Sequence, residues 1–167
     1  MSNHLKLNLG CGKDLRQGYV NVDIIGGDVQ VDLWKFPWPW PDNGADEILM
    51  NQVLEHLPDT YGTMAEVKRI LKPGGTFKGA VPYCFSHTSF IHPQHYRHFH
   101  PQSFGMLAEH FDMELILAEC YDSNATRKHK IRSLIPKPVR ELLAGLLLNM
   151  FDEVRFELRK KNAKSSL

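Results

Sequence analysis

The sequence predicts an α/β protein built on a mainly parallel sheet. Two observations carry this expectation. Short runs of alternating or continuous apolar residues recur along the chain, and segments with apolar residues at helical spacing lie between them, so strands alternate with crossovers. Near the start, a strand runs into Gly10-Cys11-Gly12 and the next strand ends on Asp23. A strand, a glycine turn and a second strand closing on an acid open a nucleotide-binding unit.

The elements follow in order. Leu5, Leu7 and Leu9 alternate with Lys6 and Asn8 as in a short strand. Gly18 to Ile24 reads as the second strand, and Asp28 to Trp34 holds a short third one. Trp34 to Gly44, rich in proline and tryptophan, is irregular because proline breaks ladders and helices alike. Ala45 to Gln52 reads as a strand running into a loop. In "TYGTMAEVKRILKPGG", Met64, Val67, Ile70 and Leu71 share one helical face, and Lys72-Pro73-Gly74-Gly75 stops the helix. "TFKGAVPY" is a strand, "PQSFGMLAEH" a helix starting near Pro101 or Ser103, and "MELILAECY" a strand. "PKPVRELLAGLLLNM" reads as a helix with Pro138 in its first turn. In "DEVRFELRK", Val154, Phe156 and Leu158 alternate with charges, as in a last, edge-like strand.

The 167 residues suggest one domain over 1–160, with 161–167 as a flexible tail. The chain is 43% hydrophobic and 23% charged, and its formal net charge of +1 points to neither nucleic acid nor an acidic surface. Cys11, Cys84 and Cys120 are odd in number and widely spaced, so reduced thiols in a cytoplasm are expected rather than a disulfide framework. No signal peptide is recognised, and the longest apolar run, Leu142 to Leu148, is too short to span a bilayer.

The first unit is clipped. A dinucleotide fold needs a full helix after its glycines and an acid about 20 residues later. Here Asp23 stands eleven positions beyond Gly12 (23 − 12), room for about one helical turn. What remains is a turn that lets backbone approach a ligand, and a carboxylate able to accept two hydrogen bonds from a ribose diol. That pair suits a nucleoside ligand without phosphates, and it disfavours a nicotinamide oxidoreductase.

Taken together, "LNLGCG", "GYVNVD", "PDNGADEI", "VLEHLPD" and "EVKRILKPGG" resemble the class I S-adenosylmethionine-dependent methyltransferases, most closely their small type 11 branch. The resemblance is good from Leu5 to about Tyr83 and weaker beyond. It implies a Rossmann-like, doubly wound, seven-stranded sheet, mostly parallel with an antiparallel last strand beside the fifth, and reduced first helices. It implies S-adenosyl-L-methionine as cofactor, over the carboxyl ends of the first and fourth strands. Leu9, Gly10, Cys11 and Gly12 would line the methionine part, Asp23 would hold the ribose, Asp32 and Leu33 would flank the adenine, and Ile24 would be a further cofactor contact. Asn51, Gln52 and Val53 would pass beneath the sulfonium, with Glu55 and His56 closing the turn.

Each feature also has a structural reading. Asp32 could simply start the turn before Trp34, and Trp34, Phe36, Trp38 and Trp40 more readily cover a core edge, with at most one of them touching ligand. Glu55 and His56 shape a turn more readily than they catalyse. His87, His92, His95, His98, His100 and His110 crowd one region near Cys84, but HxxHxxH interrupted by prolines does not place three rings on one helical face. No metal is expected; a substrate-side loop after the fifth strand is. His95, Tyr83 and His92 are the candidate bases for an acceptor hydroxyl or amine, and Arg97 the candidate partner of an acidic acceptor. The helix holding Leu142 to Leu148 is read as a buried crossover, with a patch for a second copy or a partner subunit as the alternative. The basic run Arg127-Lys128-His129-Lys130 with Arg132 reads as a solvated loop. The resulting expectation is methyl transfer to an unidentified acceptor (small molecule, glycan or other). The alternative is a non-catalytic cofactor-binding or scaffold module of the same fold.

Overall fold

Leu7 and Leu9 are fully buried and form β1 (Lys6–Leu9), which pairs in parallel with β2 (Val20–Asp23) and β4 (Ala45–Asn51). A computed structural model describes residues 4–122, 134–144, 147 and 149–162. The remaining elements are β3 (Val29–Gln30), a 3₁₀ turn (Leu54–His56), α1 (Thr60–Ile70), β5 (Leu71–Pro82), α2 (His87–Ile91), α3 (Pro101–His110), β6 (Met113–Tyr121), α4 (Lys137–Leu143) and β7 (Glu153–Lys160). The seven strands form one sheet in the order β3-β2-β1-β4-β5-β7-β6, with β7 antiparallel to both neighbours. The chain winds outward from β1 in both directions, so the crevice between β1 and β4 is a topological switch point, where ligands bind in such sheets.

No helix separates β1 from β2 or β2 from β3. A buried polar network holds the short connections instead. The Asn8 side-chain amide donates to the Asp14 carbonyl (2.7 Å) and to Asn21 Oδ1 (3.0 Å), while Asn21 Oδ1 also accepts from the Arg16 backbone N–H (2.8 Å). The Asp28 carboxylate takes the Asn21 backbone N–H at 2.8 Å and its side-chain amide at 2.9 Å. Asn8 and Asn21 satisfy backbone groups that a helix would otherwise have paired.

The apolar face of α1 packs where its spacing predicts, with Met64, Val67, Ile70 and Leu71 fully buried. Asp59 caps its start, accepting from the Gly62 N–H at 2.8 Å. The helix stops at Ile70, and the chain passes directly into β5. Ala45 pairs with Leu71 but Glu47 pairs with Thr76, so Lys72 to Gly75 bulges out of the ladder. Proline's missing N–H and the left-handed Gly74 (φ +79°) suit that excursion.

Two expectations need correction. β7 is not an edge strand but lies between β5 and β6. Val154, Phe156 and Leu158 face the core, and the alternating charges belong to the opposite face of an inner strand. α4 is shorter than expected and is not a buried crossover: Leu142 is 77% exposed, and it is Arg140 and Ala144 that turn inward. The basic run at 127–132 and the end of the expected tail, residues 163–167, lie outside the described residues. No helix among the described residues is long and apolar enough to cross a membrane.

Candidate functional site

The carboxyl ends of β1, β2 and β4 meet over a cavity of about 660 Å³. Gly10, Asp23, Ile24, Asp32, Leu33, Gln52, Val53 and His56, all candidates from the sequence, line it. Trp34, Leu57, His92 and Gln94 complete much of the wall. Leu9 and Cys11 are buried in the strand and turn behind it, and burial raises the Cys11 thiol above its ordinary value. Asn51 lines a separate groove between β4, β5 and β7.

Gly10 has a φ of +68°, and a Cβ there would lie 2.5 and 2.7 Å from two carbons of Val53. Only a glycine lets the turn after β1 approach the turn after β4 this closely. Gly12, also left-handed, donates its N–H to Asp23 Oδ2 at 2.7 Å, and Ile24 donates to Asp23 Oδ1 at 2.7 Å. The carboxylate is thus fixed at the end of β2 with acceptor capacity left toward the cavity. Asp32 accepts the Trp34 N–H (3.1 Å) and pairs with Lys35 (3.1 Å); these contacts hold its carboxyl below the usual range and favour its role as the start of a turn.

Of the aromatic residues, Trp38 is buried, its backbone N–H donates to Glu66 Oε2 (2.6 Å), and Arg69 grips the Trp38 and Trp40 carbonyls. Trp34 is the member of the group that lines the cavity, with its ring edge-on to Tyr96 at 5.7 Å.

The loop after β5 docks on the 3₁₀ turn through backbone bonds. The Glu55 carbonyl accepts the N–H groups of Tyr96 (2.8 Å) and Arg97 (3.3 Å), and the Arg97 guanidinium donates to the Pro58 carbonyl (2.8 Å). This brings His92 and His95 against His56, with ring centroids 5.1 Å (His56–His92), 4.7 Å (His56–His95) and 5.0 Å (His92–His95) apart. His56 Nδ1 lies 3.1 Å from the Gln94 carbonyl and His95 Nδ1 3.1 Å from the Ser89 carbonyl. A carbonyl only accepts, so both Nδ1 atoms carry the proton and both Nε2 atoms keep a lone pair. Burial first, then neighbouring histidines, lowers the His56 pKa; burial also lowers that of His95.

The structure does not bring Tyr83 or Arg97 to this cavity. Tyr83 is buried against Phe85, His100 and Phe151, faces another cavity, and has its hydroxyl pushed up to about 12, chiefly by burial. It stays protonated and is no base. Arg97 clamps the loop instead. His98 turns away to Ser89 Oγ (2.7 Å), and His100 caps α3. Gln94 was not among the candidates, because its backbone carbonyl rather than its side chain orients His56.

Residues 11–78 match the model of a family described as a methyltransferase domain. Those residues are similar to the type 11 methyltransferase domain. The chain is 35% identical over 75 residues to the cycloartenol-C-24-methyltransferase of Arabidopsis thaliana, a match covering 45% of this chain but 21% of that protein. Its fold resembles an S-adenosylmethionine-dependent methyltransferase of Archaeoglobus fulgidus (TM-score 0.66, 18% identity, 95% of this chain and 87% of that one). It also resembles a chain from the complex of the Haloferax volcanii Trm112 methyltransferase activator with a methyltransferase (TM-score 0.67, 14% identity, 96% and 84%). These likenesses concern the doubly wound sheet, which this chain shares with both structures.

Proposed function

We propose that this chain is a methyltransferase that binds S-adenosyl-L-methionine in the cavity between β1, β2 and β4 and transfers its methyl group to an acceptor. The observation that carries this reading is the conjunction of Gly10 and Asp23: a turn pressed against Val53, and beside it a carboxylate fixed by Gly12 and Ile24 at the cavity wall. The geometry fits an adenosyl group without phosphates. No helix follows the glycines to hold a pyrophosphate, and Asp23 has lone pairs for a diol.

The cofactor supplies an already activated methyl on a sulfonium, so the chain's task is to position two reactants and exclude water. Asp23 would hold the ribose, Ile24, Leu33 and Trp34 would enclose the adenine, and Gln52 and Val53 would form the floor near the sulfonium. His92 stands at the cavity wall with His95 stacked against it, so an acceptor entering there meets imidazole nitrogens. His92 and His95 are the residues we assign to the acceptor's proton.

Calorimetric titration with S-adenosylmethionine and S-adenosylhomocysteine tests the first step. Binding is expected in the wild type and lost in Asp23→Ala; a wild type that binds neither, or prefers a nicotinamide dinucleotide, overturns the reading. Labelled cofactor incubated with extract then reveals the acceptor class, and binding without transfer to metabolites, glycans, proteins or nucleic acids would favour the non-catalytic module. The likeness to a chain of the Trm112 complex supports including a partner subunit in that assay. The three free cysteines fit a reducing, cytoplasmic setting.

A further inference from the structure

We propose that His56, His92 and His95 bind one divalent transition-metal ion of the zinc class, leaving a coordination position open toward the cavity. One ring nitrogen from each residue lies within 4.8 Å of the others. A tetrahedral site with metal–nitrogen bonds of about 2.0–2.1 Å sets its ligand atoms roughly 3.3 Å apart. The cluster therefore closes on an ion by a movement of about 1.5 Å. The residue suited to make that movement is His92, which is exposed and whose Nδ1 accepts one long bond of 3.4 Å from the Gln94 N–H.

The other two rings are already set as metal ligands are. Each donates Nδ1–H to a backbone carbonyl, which fixes the tautomer and presents Nε2. Both lie on anchored backbone: His56 on the 3₁₀ turn, His95 on a loop tied to that turn through Glu55. No carboxylate joins the cluster among the described residues, so the donor set suits zinc, cobalt, nickel or copper rather than magnesium or calcium. Three protein ligands and one open position describe a catalytic rather than a structural site.

His56 and His92 also line the proposed cofactor cavity, so the open position faces the acceptor's approach. With their ring nitrogens on the ion, His92 and His95 no longer take the acceptor's proton; a hydroxyl or thiol bound at the open position gives it to solvent instead, because the cation stabilises the resulting anion. Its lone pair then forms the new bond to the methyl carbon while the carbon–sulfur bond breaks. That electron pair stays on sulfur, leaving the thioether. This use rests on the methyl-transfer reading; the metal site does not.

The test uses metal-stripped full-length protein and no cofactor. Zinc titrated in competition with a chromophoric chelator is expected to bind at one equivalent, and cobalt to give the visible bands of a tetrahedral site. X-ray absorption of the zinc form should show three nitrogens at about 2.0–2.1 Å. His92→Ala and His95→Ala, checked for fold by circular dichroism, are expected to abolish stoichiometric binding, while His87→Ala leaves it intact. His92→Cys should retain cobalt and add a thiolate charge-transfer band. Failure of the wild type to bind at one equivalent, or binding indifferent to His92 and His95, overturns the site and assigns the cluster to ring packing. Cofactor titration of the same samples keeps the two readings separate: a wild type that binds cofactor but no metal overturns the metal site alone.

Discussion

Gly10→Ala tests the geometry on which the cofactor cavity depends. The backbone at Gly10 has a φ of +68°, where an L residue costs about 1–2 kcal/mol. The new Cβ would stand 2.5 and 2.7 Å from Val53 carbons, and relieving such overpacking costs a further ~1–3 kcal/mol. The substitution should therefore destabilise the protein by about 2–5 kcal/mol, the sum of the two. The two parts separate in a double-mutant cycle. In a Val53→Ala background the steric share disappears and the backbone share remains, so the coupling energy should be about 1–3 kcal/mol. Urea unfolding of the four proteins at one pH measures it. Relief of the clash pushes Val53 into the cavity it lines, so Gly10→Ala should also weaken S-adenosylmethionine binding. A penalty that is the same with and without the Val53 side chain would refute the close approach of the two turns.

Other substitutions probe the walls and supports of the site. Glu55 is 1% exposed, neither carboxyl oxygen has a hydrogen-bond partner among the described residues, and burial pushes its pKa from 4.5 up to about 8. A raised carboxyl holds its proton in the folded state after the unfolded state has lost it. Its contribution is thus fully present below about pH 4.5 and falls away as pH rises to about 8, by about 5 kcal/mol in all. Glu55→Gln should flatten that slope in urea unfolding from pH 5 to 9; an unchanged slope would exonerate Glu55. Arg69 bonds Glu66, Asp42 and the carbonyls of Trp38 and Trp40, so Arg69→Leu should cost about 3 kcal/mol and alter tryptophan fluorescence as the segment loosens. Trp34 is half-exposed at the cavity wall, so Trp34→Ala should leave the unfolding midpoint nearly unchanged and weaken cofactor binding roughly tenfold by calorimetry.

The strands, the principal helices and much of the cavity wall were legible because each depends on local pattern. Leu7 and Leu9, the Met64–Leu71 stripe and the Val154–Leu158 alternation are short-range signals of burial, and burial is what they show. Position within the sheet is not a local property. The alternating charges of β7 look the same whether the strand lies at an edge or, as here, between two neighbours whose core covers one face. Leu142 shows the complementary failure. Its run of apolar neighbours implies burial, but the described part of α4 turns Arg140 inward instead, where its guanidinium pairs with Asp122 at 2.7 Å and lies over the Phe151 ring. Tyr83 carried a plausible hydroxyl at a plausible place, yet the strand alternation that buries Val81 buries Tyr83 on the same side.

The histidines show most plainly where pattern stops and tertiary structure begins. The interval from His92 through His95 to His98 invites a search for three ligands within one segment, and that search fails. His98 is drawn to Ser89, and Phe90 stacks on its ring at 4.8 Å. The third imidazole comes from His56, 36 positions before His92 (92 − 56), on a turn that follows a different strand. What joins them is the Glu55 carbonyl receiving two N–H groups from the incoming loop, together with the Gln94 carbonyl facing His56. Backbone groups are present at every residue and leave no mark in a sequence, so a convergence built from them cannot be inferred from the spacing of the side chains it gathers. The same two bonds couple the histidines to the floor of the cavity. A change that loosens the loop from Glu55 should therefore lower metal affinity and acceptor turnover together while leaving the Gly10–Asp23 half of the site intact, a pattern that neither isolated ring packing nor a purely cofactor-binding role would produce.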